Sequence, residues 1–185
     1  MPNYCENDLT IDGPADEVHR ILQEIKGQYE DGSGVRDFDF NTLIPYPTHF
    51  AELDRISYEW EEAHKAPSSD WKDRPRDGYN QGGYEWCADN WGTKWNAIRV
   101  RDFKEEESYP EGCIEASFTF DTAWVPPIPV IRALAEKYPK VSVEVRYFEQ
   151  GQQLNGVLRI PSAEEREDGE DEWEESGKYY GTRGG

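Results

Sequence analysis

IEASFTFDTAWVPPIPVIRALAEKYPKVSVEVRYF, residues 114–148, reads as strand, helix and strand. Ile114, Ala116, Phe118 and Phe120 alternate with Glu115, Ser117 and Thr119, and a period of two marks a strand with one buried face. Pro126, Pro127 and Pro129 stiffen the entry to a helix with Ile128, Ile131, Leu134, Ala135 and Tyr138 on one stripe, and Pro139 stops it. Val141, Val143, Val145 and Tyr147 then alternate in a second strand.

The same two periods recur on either side. Residues 97–103 set Ile98 and Val100 against Arg99 and Arg101, and the polar run KEEESYPEG, residues 104–112, reads as the loop of a long hairpin to strand 114–120. A turn at Gly151 leads to a further strand at residues 154–160. Near the start, Leu9 and Ile11 share one face of a short strand over residues 8–12, which Gly13-Pro14 breaks. Val18, Ile21, Leu22, Ile25 and Tyr29 predict an amphipathic helix over residues 15–29, ended by a flexible break at DGSG, residues 31–34.

With residues 35–96 set aside, the order is β-α-β-β-α-β-β. Two β-α-β units joined through a hairpin form the split arrangement called ferredoxin-like, an α+β fold with an antiparallel sheet. Clean alternation means one wet sheet face and one covered face, and right-handed crossovers put both helices on the covered one. Strand 154–160 extends one edge. The fold name implies no cluster: Cys5, Cys87 and Cys113 include no CxxC pair, so four thiolates cannot hold iron and sulfur within one chain. No cofactor and no metal are expected, and the thiols suit a reduced, cytoplasmic protein.

Residues 35–96 are an insertion in that scaffold. Phe38, Phe40, Leu43 and Ile44 lead into Pro45-Tyr46-Pro47 as an anchored extended stretch, residues 50–65 have weak helical spacing, and residues 67–76 form a charged loop. Its richest part is DGYNQGGYEWCADNWGTKWNA, residues 77–97, with a short helix over residues 84–90 ended by Gly92 and Trp91 beneath it. Candidate ligand- or partner-binding residues are Tyr79, Asn80, Tyr84, Trp86, Asn90, Trp91, Lys94 and Trp95. Asp121 and Trp124, at the end of strand 114–120, join them. Two readings stand: the rings fill a second small core with their N–H groups bonded to backbone or amides, or they line a concave site for a planar ligand or a protein loop.

Catalytic signatures are missing. There is no GxSxG, HExxH, P-loop or GxGxxG, and His19, His49 and His64 are scattered. Cys87 lies among acids with Lys94 as its near cation, a poor setting for a reactive thiolate. Glu85 or Asp89 with Asp121 would make a glycosidase-like pair only at a set separation that sequence does not reveal. No catalytic residue is assigned.

The 185 residues carry a formal charge of −19. Such a surplus repels nucleic acid and anionic membranes and attracts basic partners, while also serving solubility. No apolar run approaches the ~20 residues that cross a bilayer, and no signal pattern opens the chain. The expected domain is residues 1–160, followed by an acidic tail, residues 161–185. The tail has nine acids against one arginine between positions 161 and 176, and disorder is expected after about residue 165.

Five segments together carry a resemblance: MPNYCENDLTIDGP at the start, FDFNTLIPYP, GYNQGGYEWCADNWGTKWNA, FDTAWVPPIPVI and YFEQGQQLNGVL. In this order they resemble the YubB-like ferredoxin-like family of phages, plasmids and integrated elements, a domain of unknown function. The resemblance covers residues 1–160, leaves out the acidic tail, and implies the fold above and a mobile-element setting. It brings no catalytic residues.

The function expected is a non-catalytic binding protein of a phage or mobile element that inhibits a host factor. As a counter-defence protein it would engage a basic host protein surface in the manner of a DNA mimic, without binding nucleic acid or membrane itself. The alternatives are sequestration of a nucleotide-like small ligand between rings, a hydrolase at the aromatic insertion, and an oligomeric role through a free strand edge. Oligomeric state is not fixed by the sequence.

Overall fold

In a computed structural model, residues 3–29, 34–64, 72–167 and 173–176 are described. They form β1 (Tyr4–Pro14), α1 (Ala15–Glu24), β2 (Gly27–Gln28), β3 (Val35–Arg36), α2 (Thr48–His64), α3 (Gly83–Asn90) and β4 (Ile98–Ser108). Then come β5 (Cys113–Ala123), α4 (Ile128–Lys137), β6 (Ser142–Glu149), β7 (Leu154–Ile160), α5 (Ala163–Glu167) and β8 (Trp173–Ser176).

One antiparallel sheet runs β4-β5-β1-β6-β7-β8, and β2 pairs with β3 as a separate two-residue ribbon. In β1-α1-β4 the strand β5 lies between the two parallel strands, and in β5-α4-β6 the strand β1 does. This interleaving is the ferredoxin-like arrangement expected from the periodicity. Register puts Leu9 opposite Phe118 and Val145, and Ile11 opposite Ala116 and Val143, all on one face. Val18 and Ile21 of α1 and Val130, Ile131 and Leu134 of α4 close over that face. Each aliphatic side chain taken fully out of water there contributes ~1.5–3 kcal/mol. Among the described residues no helix is long and apolar enough to cross a membrane.

The helix expected over residues 15–29 stops at Glu24. Its apolar stripe continues to Ile25, but Gly27 then runs against Asp39, where a Cβ would lie 1.8 Å from Oδ2. The chain turns extended and pairs with Val35–Arg36, so Tyr29 sits under the Arg36 guanidinium at 4.5 Å and leaves the helix stripe. Positions 31–33 of the expected break lie outside the described residues, as do positions 65–71 at the end of the weak helix and in the charged loop.

Residues 104–108, expected in a loop, continue β4 and pair with Ser117 through Cys113. The hairpin closes tightly at residues 109–112, with Cys113 N–H donating to the Pro110 carbonyl at 3.0 Å. Charged residues with no apolar period suit an outer strand, where they discourage pairing with another chain.

Disorder from about residue 165 is corrected at two places. Ser162 and Glu165 cap α5 reciprocally: Ser162 N–H donates to Glu165 Oε2 at 2.7 Å and Glu165 N–H to Ser162 Oγ at 3.2 Å. Further on, Trp173–Ser176 adds β8 to the outer edge of β7 through backbone pairing. Positions 168–172 and 177–185 of the expected tail lie outside the described residues.

Glu165 also accepts from the Ser142 hydroxyl and from Arg159 at 2.8 Å. Burial opposes its ionisation, but these donors outweigh burial and hold its carboxyl below the ordinary 4.5. A depressed carboxyl contributes stability above its unfolded value, and that contribution is lost as pH falls through the folded value. A carbonyl-detected NMR titration should place Glu165 below 4.5, and Glu165→Gln should remove the matching step in the Ala163 amide shift. A midpoint at or above 4.5 would remove the assigned role of the cap.

Candidate functional site

Residues 77–97 fold into a 3-10 turn (Tyr79–Gln81) followed by α3, and several candidate residues spend their polar groups on that folding. Asn80 gives its backbone N–H and its side-chain amide to Asp77 at 2.7 and 3.0 Å. Asn90 gives its amide to the Trp86 carbonyl at 2.9 Å. Trp91 is buried, donates Nε1–H to the Ile44 carbonyl at 2.8 Å, and meets Phe40 and Trp86 edge-on at 5.7 and 5.5 Å. Phe38 in turn stacks edge-on with Phe118 and Phe120 at 5.6 and 5.1 Å. The rings therefore extend the main core into the insertion and do not form a second one.

The other candidate residues fall into two smaller groups, of which the first borders open space. Tyr79 and Trp91 line a cleft of about 150 Å³ with Asp54, Cys87 and Arg36. That volume is below the ~300 Å³ at which small-molecule sites usually begin, so a nucleotide does not fit it. Burial pushes the Tyr79 phenol up to about 12 and, helped by Asp54, the Cys87 thiol up to about 12 as well. Cys87 is then a protonated thiol at neutral pH, unsuited to nucleophilic attack. In the second group, Lys94 Nζ lies 5.5 Å from the centres of both the Tyr84 and Trp124 rings. Trp124 holds a left-handed φ of 68°, and the buried Nε1–H groups of Trp95 and Trp124 have no acceptor among the described residues.

Asp121 lies on the helix-free face of the sheet, opposite Glu6 in the β1–β5 register. Arg101 and Arg99 approach its carboxylate at 2.9 and 3.3 Å, Glu6 grips the far side of Arg101, and the Tyr4 ring lies 4.2 Å beneath Arg99. Three strands contribute to this knot, because β1, β5 and the bulged β4 converge there.

The polar halves of the alternating strands build a larger site beside it. Asp8, Thr10 and Asp12 of β1 stand opposite Thr119, Ser117 and Glu115 of β5 on one side and Arg146, Glu144 and Ser142 of β6 on the other. Together they line a hollow of about 750 Å³ across the open face. Arg146 is tied to Glu144 at 2.7 Å and Arg159 to Glu165 at 2.8 Å. Asp8, Asp12, Asp102, Glu115, Glu144 and Glu165 line the hollow against Lys104, Arg146 and Arg159, so its field is negative. Phe118 is the aromatic ring at its lining, whereas nucleic-acid platforms combine cations with several stacking rings. Among the described residues no group of three or more His, Cys, Asp or Glu is arranged to hold a metal ion. The acids of the hollow carry a sequence signal, the polar side of each period-two strand, which reads as solvent exposure unless the strands are laid side by side.

Residues 90–182 match the family model described as ferredoxin-like domain in Api92-like protein. The matched span runs beyond residue 161, so the acidic segment expected to fall outside the family lies within it. No curated protein matches the chain. The crystal structure of a protein api92 from Yersinia pseudotuberculosis superposes with a TM-score of 0.51 at 11% identity, covering 98% of this chain and 99% of that one. At that identity the likeness shows the fold alone.

Proposed function

The chain belongs to the family of the ferredoxin-like domain in Api92-like protein, and on that fold we propose a non-catalytic binding protein whose acidic hollow receives a basic protein surface. The setting we propose is a phage, plasmid or integrated element, with action in the host cytoplasm. The target is a nucleic-acid-binding host protein, such as a defence factor, whose cationic groove this face occupies in place of DNA. The observation that carries the reading is the hollow itself: about 750 Å³, concave, and lined by Asp8, Asp12, Asp102 and Glu115. A net charge of −19 draws a basic partner in from a distance, and a shaped acidic face sets where it lands.

Asp12→Lys with Glu115→Lys tests position against bulk charge. Host proteins captured by the tagged protein are identified, and each is titrated in purified form with competing duplex DNA. The double variant should bind the captured protein at least about tenfold more weakly, and DNA should displace the wild type. Glu111→Lys with Glu136→Lys, which changes the net charge equally away from the hollow, should leave affinity within about twofold. Equal loss in both pairs, or a partner indifferent to DNA, would remove the proposal.

A further inference from the structure

A second hollow lies on the other side of β4, between that strand and α1, with a volume of about 620 Å³. Its body is apolar: Leu22 and Ile25 from the end of α1, Val100 and Phe103 from β4, and Phe118 as floor. This falls in the ~300–1,000 Å³ range of small-molecule sites. The local backbone explains the space. Arg99 and Asp102 hold left-handed φ values of 52° and 56°, and the β4–β5 register slips between Ile98 and Arg101 and again between Arg101 and Lys104. Two bulges at non-glycine residues lift β4 from its ladder, and such strain persists where the surroundings or a function hold it.

We propose that this cleft binds a small hydrophobic amine. Three exposed acids stand at its rim, each beside a cation: Glu105 3.3 Å from His19, Asp37 3.8 Å from Lys26, and Asp102 3.7 Å from Arg101. Arg101 is already held by Asp121 and Glu6, and His19 counts as a cation only when protonated. The rim is therefore left with excess negative charge above an apolar interior, which suits an ammonium group on an apolar body and opposes a carboxylate. The strand edge itself does not favour a further strand, since it is bulged twice and carries Glu105, Glu106 and Glu107. The cleft shares Asp102 and Phe118 with the acidic hollow on the open face, but its apolar body of Leu22, Ile25, Val100 and Phe103 belongs to it alone.

The test titrates the full-length protein with dansylcadaverine, an amine, and with neutral dansylamide and acidic dansylglycine, reading fluorescence. The amine should bind at least about tenfold more tightly than the acid, with the neutral probe between them. Since an acidic protein attracts any amine, the deciding variant is Val100→Trp, which fills the cleft at constant charge and should weaken the amine at least about tenfold. Phe103→Ala, at an exposed wall position, serves should the first variant fail to fold, and should cost about fivefold with an unchanged circular dichroism spectrum. Asp37→Lys with Glu105→Lys should reverse the order of amine and acid. Equal binding of the three probes, full binding by both cleft variants, or a concentration-dependent dimer in light scattering that excludes the probe would each overturn the assignment.

Discussion

Trp91→Ala should lower the unfolding free energy of the protein by ~3–5 kcal/mol, the usual cost of deleting a large buried ring. Trp91 is 4% exposed, joins Phe40, Tyr46 and Trp86 by ring contacts at 5.7, 5.8 and 5.5 Å, and satisfies the Ile44 carbonyl. The alanine variant loses the transfer energy of the indole and leaves a void and an unbonded carbonyl. Because Phe40 and Phe38 continue the same packing to Phe118 and Phe120, the loss should appear in the transition of the whole domain, not only in the insertion. Urea unfolding followed by far-ultraviolet circular dichroism measures it. A decrease under about 1 kcal/mol would mean that the insertion does not share the core. Trp91→Phe, which keeps a ring and loses the donor, should fall between the two.

This packing explains why the aromatic run admits two readings in the sequence and resolves mostly into one. Trp91, Asn80 and Asn90 are committed to closing α3 and its turn, and composition alone does not separate a ring that packs from a ring that waits for a ligand. Strand β7 is legible to its ends, because Gly151 and Pro161 bracket it and its apolar residues are dense. The outer half of β4 is illegible, since Lys104 and the three glutamates after it carry no period, and their strand state comes from backbone partners at residues 113–117. Strand β8 is hidden for the same reason: what holds it in place is the backbone of β7.

Asp121 shows the remaining gap. A carboxylate at a strand end is visible in the sequence, but its partners come from bends at Arg99 and Asp102 that no glycine announces. The same bends stand between the two large hollows: Asp102 and Phe118 line both, and both are edged by acids, but only the second has an apolar body. A bare acidic sheet face and an apolar cleft are thus products of one irregular edge strand on an otherwise regular platform.

Asn96→Asp should cost about 3 kcal/mol or more at pH 7.5, though it changes few atoms, because it sets a second carboxyl against a buried one. Asn96 links the insertion to the sheet: its Oδ1 accepts the N–H groups of Phe40 and Ala97, both at 2.9 Å, and its Nδ2–H donates to Asp39 Oδ1 at 2.6 Å. Asp39 also takes the backbone N–H and the amide of Asn41, each at 3.0 Å, and both Asp39 and Asn96 are buried. In the variant the acceptor role survives, but two acidic oxygens meet where a donor and an acceptor stood. Two carboxyls that share a buried site cannot both ionise cheaply, so one of them titrates well above its unfolded value of ~4. The folded variant then keeps a proton that the unfolded chain has released. Its stability must therefore fall as pH rises through the window between the unfolded and the raised folded value, and recover as pH drops. Urea unfolding at pH 7.5 and pH 5.0 reads this directly: the gap between wild type and Asn96→Asp should narrow at the lower pH. Asn96→Ala, which orphans Phe40 N–H and Ala97 N–H, should stay destabilised at both. A gap for Asn96→Asp that is the same at both values would show that position 96 does not face Asp39 as a donor, and the link between insertion and sheet would have to be sought elsewhere.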